Sequence, residues 1–169
     1  SNLSAADWPT WGGDATRNMV SLETGLDLDF EPGEMNDDES VDMSTTKNIK
    51  WVAKLGSQAY GNVTIANGRV FAGTNNESPR DSGKKGDRGI VMCFNEKSGE
   101  IEWQLVIPKL GAGKVSDWEY IGVCSSPAIE GNRVYVVTNK CEVVCLDIEG
   151  FKNGNDGPFM DEANYVKPK

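Results

Sequence analysis

The 169-residue chain contains no histidine. Imidazole is the side chain that most often titrates near neutral pH and the commonest neutral metal ligand, so His-based catalytic triads, His-ligated zinc and His-ligated haem are excluded from it. No apolar run approaches the roughly 18 residues of a membrane-spanning helix. Basic residues are scarce: 17 Lys and Arg stand against 26 Asp and Glu, a net charge of -9. A surface of that sign repels phosphate backbones, which argues against nucleic acid as a partner. A phosphate-cradling loop is also missing. In "LGAGKVS" the residue after Lys114 is Val115 and Pro108 stands five before Gly113, so the glycine, lysine and hydroxyl spacing fails. With 38% apolar and 25% charged residues, the composition is otherwise that of an ordinary folded domain.

The acidity is local. Asp27, Asp29, Glu31, Glu34, Asp37, Asp38, Glu39 and Asp42 fall in one stretch without a basic residue, and removing it takes the net charge from -9 to -1. Hard cations want several carboxylates, but this stretch lacks the alternating Asp/Asn spacing and turn glycine of a calcium loop. It reads as a solvated acidic loop.

After Thr46 short β-branched and aromatic runs alternate with Asn-Gly, Gly-Asn and Lys-Ser-Gly turns, which predicts strands and hairpins. The runs repeat. Ile49 and Trp51 recur as Ile101 and Trp103, and Cys93 and Asn95 recur as Cys145 and Asp147, each 52 residues on. "VTIANGRVFAGTN" and "PAIEGNRVYVVTN" also match, but 64 apart, because the first copy carries 12 extra residues around "NESPRDSGKKGD" and the second 12 around "PKLGAGKVSDWE". Without these insertions the unit is 40 residues. Four strands per unit are expected, in the first copy near 60 to 66, 69 to 74, 89 to 95 and 100 to 107. A four-stranded unit of about 40 to 50 residues is the period of a β-propeller blade.

Trp51 and Trp103 hold equivalent places on a last strand, where an indole fills the space between blades. Cys141 and Cys145, four apart on a strand, lie about 13 Å apart at roughly 3.3 Å per residue and share neither a zinc ion nor a disulfide. Cys93 and Cys145 read as small buried fillers, with a Cys124 to Cys141 bridge the leading exception to buried free thiols. The sequons at Asn62 and Asn76 are left open, Asn62 falling in a predicted strand.

"NGRVFAGTN", "GIVMCFNEKSGEIEWQL" and "SPAIEGNRVYVVTNKCEVVCLDIEG" resemble the repeat of the PQQ-like propellers, and "DWPTWGGDATRNMVS" resembles the start of mature quinoprotein dehydrogenases and related secreted propellers. The resemblance covers about residues 7 to 22 and 47 to 150. It implies an all-β propeller of four-stranded antiparallel blades, to which this chain supplies the closing strand, one full blade and most of a second. The expected divisions are an extension with the acidic loop at 1–46, a closing strand at 47–55, a first blade at 56–107, an incomplete second blade at 108–150 and a loop at 151–169 leading to further blades. The dehydrogenases of the family hold the quinone with a Glu before the first blade and with adjacent cysteines. Here Tyr60 stands at the Glu position and no two cysteines adjoin.

The resemblance therefore implies a periplasmic or secreted protein-binding or assembly scaffold, more in keeping with a non-enzyme. A PQQ-dependent dehydrogenase of alcohols or sugars is the alternative, with PQQ and calcium held mostly by other blades. No catalytic, cofactor-binding or metal-binding residue is assigned. The small polar start "SNLSAA" fits a processed export product. The expected partners are the remaining blades or another β-rich chain. They would cover faces carrying Val70, Phe71, Val91, Val134, Tyr135 and Val143 and an unpaired strand beside Cys145, with the acidic loop and both insertions at the periphery.

Overall fold

The computed structural model describes residues 6–111, 117–154 and 166–168. Apart from one 3₁₀ turn, Met43–Thr45, its regular structure is strand: β1 (Glu34–Met35), β2 (Val41–Asp42), β3 (Thr64–Ala66), β4 (Arg69–Asn75), β5 (Arg88–Asn95), β6 (Ile101–Pro108), β7 (Ala128–Glu130), β8 (Arg133–Val137), β9 (Val143–Asp147) and β10 (Val166–Pro168). They form a small β1-β2 pair, a five-stranded sheet ordered β10-β6-β5-β4-β3 and a three-stranded sheet ordered β7-β8-β9. Every pairing is antiparallel. The all-β antiparallel class is the one expected.

Three of the four strands expected in the first unit fall within a residue of their places; the first is shorter. Asn62 leaves the strand path to donate its backbone N–H to Ser126 Oγ at 2.8 Å. A Cβ on Gly61 would come within 2.6 Å of the Ser125 carbonyl oxygen, so this stretch is given over to contact between the sheets. At the other end of β3, Asn67 and Gly68 take φ of 54° and 73°. Such positive angles let a two-residue turn follow the right-handed strand twist.

The two larger sheets pack face to face. Phe71, Val91, Cys93, Trp103, Leu105 and Ile107 of the first meet Ile129, Val134 and Val136 of the second, with Ile148 just after β9 and Val123 of the loop before β7, in one buried cluster. Burying each large side chain of this kind is worth roughly 1.5–3 kcal/mol. Val70, Ile90, Met92, Phe94 and Val106 form the opposite face of the first sheet, covered by Trp51, Ala53 and Leu55. Residues 51–55 join no ladder, yet half-buried Trp51, Ala53 and Leu55 alternate with exposed Val52 and Lys54, the period of a strand laid on a sheet.

Four expectations change. Phe71, Val91 and Val134 are fully buried and Val70 nearly so, because the neighbouring sheet and residues 51–55 already cover them; Tyr135 and Val143 stay exposed, at 37% and 75%. Of the matched cysteines, Cys93 is buried and Cys145 exposed, because Cys93 faces the second sheet while Cys145 lies on that sheet's uncovered side. All four thiols are free, so Cys124 and Cys141 form no bridge. Within the expected loop 151–169, residues 166–168 pair with the outer edge of β6, Lys167 opposite Gln104, where a strand edge offers open hydrogen-bonding groups.

The opening motif binds the inner edges of both sheets. Trp8 exchanges two backbone hydrogen bonds with Ile65 of β3, at 2.7 and 3.0 Å, and Pro9 accepts from the N–H of Ile129 of β7 at 2.8 Å.

Candidate functional site

Both insertions emerge at one end of the sheets, one between β4 and β5 and the other after β6. Residues 112–116 of the second lie outside the described residues. The insertions meet at Lys109. Its ammonium lies 2.6 Å from Asp117 Oδ1 and 3.3 Å from Asp87 Oδ2, and it donates to the Trp118 carbonyl at 2.5 Å. Asp117 Oδ2 also accepts from the N–H of Leu110 at 2.8 Å and from the Asn139 amide at 3.0 Å. Burial alone would raise the Asp117 pKa, but hydrogen bonds from Lys109, Leu110 and Asn139 together with the lysine charge hold it below its ordinary value.

The backbone beyond this network is fixed as firmly. Asp87 Oδ2 accepts the N–H of Tyr120 at 2.8 Å, and the Asn75 amide donates to the Tyr120 carbonyl at 2.6 Å. Asn76 is buried, its amide donating to the carbonyls of Lys84 at 2.6 Å and Gly86 at 3.0 Å, which ties the first insertion to itself and closes that sequon to modification in the folded protein. Asn62 is exposed and lies just before β3. On this fixed base Trp118 and Tyr120 are 60% and 38% exposed. Large aromatics held still and in contact with water are the side chains that anchor protein interfaces. Sequence reasoning placed both insertions at the periphery but did not find their junction; their equal length of 12 residues was the available signal.

A second polar group ties the sheets together at the opposite ends of β4 and β5. Arg69 Nε lies 2.9 Å from Glu102 Oε2, and Arg69 Nη2 lies 2.9 Å from Glu149 Oε1 across the sheet interface. Burial opposes the guanidinium charge, but Glu102 and then Glu149 outweigh it and raise the Arg69 pKa. Beside it the indole N–H of Trp103 donates to the carbonyl of Ile148 at 2.9 Å. A Cβ on Gly150 would lie 2.7 Å from that indole ring, so the turn passes directly against it.

Tyr60, at the position of the family's quinone-binding Glu, is exposed and donates its hydroxyl to Gln58 Oε1 at 2.7 Å. Among the described residues no three His, Cys, Asp or Glu side chains converge as a metal site. The close carboxylates Asp87 and Asp117 already share the Lys109 ammonium, which would repel a dication. Tyr60 thus brings a neutral hydroxyl, not a carboxylate, to the place of the family's quinone-binding Glu.

Antiparallel sheets packed face to face, with Trp103 at the end of one sheet set against the turn that follows β9 of the next, have the form of β-propeller blades. Residues 38–150 match the family described as outer membrane protein assembly factor BamB, and the chain belongs to this PQQ-like repeat family. A comparison with curated proteins found no match. No helix among the described residues is long and apolar enough to cross a membrane.

Proposed function

We propose that the protein is a periplasmic or secreted propeller that acts as a protein-binding or assembly scaffold, with the blade divisions at 47–55, 56–107 and 108–150. One observation carries this reading: the two insertions interlock through Lys109, Asp87, Asp117 and Asn139 into a fixed base that holds Trp118 and Tyr120 in contact with solvent. The family's description as an assembly factor supports it. The remaining partner is a further sheet. Tyr135, Val143 and Cys145 hold the repeat positions of Phe71, Val91 and Cys93, which another sheet buries, and their exposed face suits a following blade or another β-rich chain.

A photo-crosslinking residue at position 118 of the protein in its native cells tests the reading. The expected outcome is a discrete protein adduct, absent when the probe stands at Lys97 on a turn remote from the insertions. Dye-linked oxidation of an alcohol or sugar that depends on added quinone and calcium would instead establish the dehydrogenase alternative.

A further inference from the structure

A cavity of about 820 Å³ lies against β6 under the first insertion, lined among others by Lys54, Glu77, Arg80, Asp81 and Gln104. Gln104 is only 6% exposed, and among the described residues its side-chain amide has no hydrogen-bond partner. The amide is not sealed in the core but borders the open space of the cavity, where its donor and acceptor stay available to a ligand. The lining is charge-balanced, two cations against two anions, so it exerts no net pull on an ion. Arg80 is set in place by a hydrogen bond from Nη2 to the Lys54 carbonyl and by its position 5.9 Å over the Phe94 ring, which leaves further guanidinium N–H groups to donate.

We propose that this cavity binds an extended, uncharged peptide segment of a partner protein, with Gln104 as its main-chain reader. An extended residue turns its own N–H and C=O to the same side, as in the hydrogen-bonded pairs of an antiparallel ladder. Gln104 offers the matching acceptor and donor on one planar group, and Arg80 donates to a neighbouring carbonyl. Main-chain hydrogen bonds of this kind give a peptide site its affinity, while the surrounding walls select side chains. The inference rests on the protein-binding reading above and names the chemistry of the partner.

Chemical-shift mapping of the intact protein with N-acetylalanine methylamide, a single residue between two peptide groups, tests it. The expected result is a saturable shift of the Gln104 side-chain amide and of the Ile101 and Trp103 backbone amides. Affinity should fall at least tenfold in Gln104→Leu, with a melting temperature no lower than that of the parent. Gln104→Glu, which keeps the shape and replaces the donor with a carboxylate, should lose binding in the same way. No shift, or an equal shift with methyl glucoside or acetate, overturns the proposal. So does unchanged binding in both variants, or a lowered melting temperature in Gln104→Leu, either of which makes the amide structural. Adducts at position 118 without a shift at Gln104 end the peptide site alone; absence of both ends the scaffold reading as well.

Discussion

The indole N–H of Trp51 donates to the carbonyl of Glu96 at 2.8 Å, the same bond that Trp103 makes to Ile148, and in each pair the acceptor lies 45 residues on. Residues 51–55 thus meet the first sheet as β6 meets the second, although they pair with no strand. Trp103→Ala is expected to cost roughly 3–5 kcal/mol, as large core truncations do. Trp103→Phe, which keeps most of the ring but strands a carbonyl, should cost about 1 kcal/mol or somewhat more. Gly99 has φ of 72°, and a Cβ there would lie 2.5 Å from the Trp51 ring. Gly99→Ala should therefore destabilise by more than about 1 kcal/mol. Urea unfolding midpoints of the three variants check these values.

Arg69 bridges the sheets through Glu102 and Glu149, whose side chains are 17% and 39% exposed. Removing one partner of a fully buried pair costs roughly 3–5 kcal/mol, and the solvent left to these carboxylates should bring Arg69→Met to about 2 kcal/mol. The double variant Arg69→Met with Glu102→Leu should recover part of that loss. A double-mutant cycle in urea measures the coupling; a coupling indistinguishable from zero would contradict the assigned bridge.

The lowered pKa of Asp117 gives the insertion junction an acid limit. A carboxylate depressed in the folded state stabilises fully above its ordinary value near 3.8 and loses that contribution as pH falls through its lower folded value. Glu102, also depressed although burial opposes it, adds to the same slope at the sheet interface. Melting temperature should fall as pH is lowered through and below the ordinary carboxylate range, less steeply in Asp117→Asn. Parallel melts of parent and variant decide it.

Thiol accessibility separates the matched cysteines. Burial pushes the Cys93 thiol well above its ordinary value, with the Glu102 charge adding to the shift. A native alkylation pulse read by mass spectrometry should label Cys124, Cys141 and Cys145 and spare Cys93 until the protein is unfolded. Labelling of Cys124, whose pKa burial raises, should quicken as the pH of the pulse is raised.

The repeat was legible because its anchors are local and periodic. Cys93 faces Phe71 across one ladder as Cys145 faces Tyr135 across the other, so the 52-residue and 64-residue offsets correspond to matching registers. Burial of those positions was not legible, because it depends on which side a second sheet covers. The Lys109 junction was hidden for a related reason. Asp87, Asp117 and Asn139 come together from three segments that share no period. Gln104 sits in an ordinary alternating strand, and no sequence signal marks an amide that folding leaves without partners. Residues 166–168 reach the edge of β6 through a pairing between strands far apart in the chain.

The two indole contacts differ in one detail that bears on how such repeats drift. Gly99 stands four residues past Asn95, whereas Gly150 stands three past Asp147, so one turn is a residue shorter. The accepting carbonyl nonetheless follows the Asn or Asp directly in both cases, and only the glycine slides, from the fused edge of one indole to the five-membered ring of the other. The corner therefore tolerates loss or gain of a residue without retuning the neighbouring sheet. Copies of the unit are free to diverge in length at this turn while their spacing around the assembly is inherited unchanged.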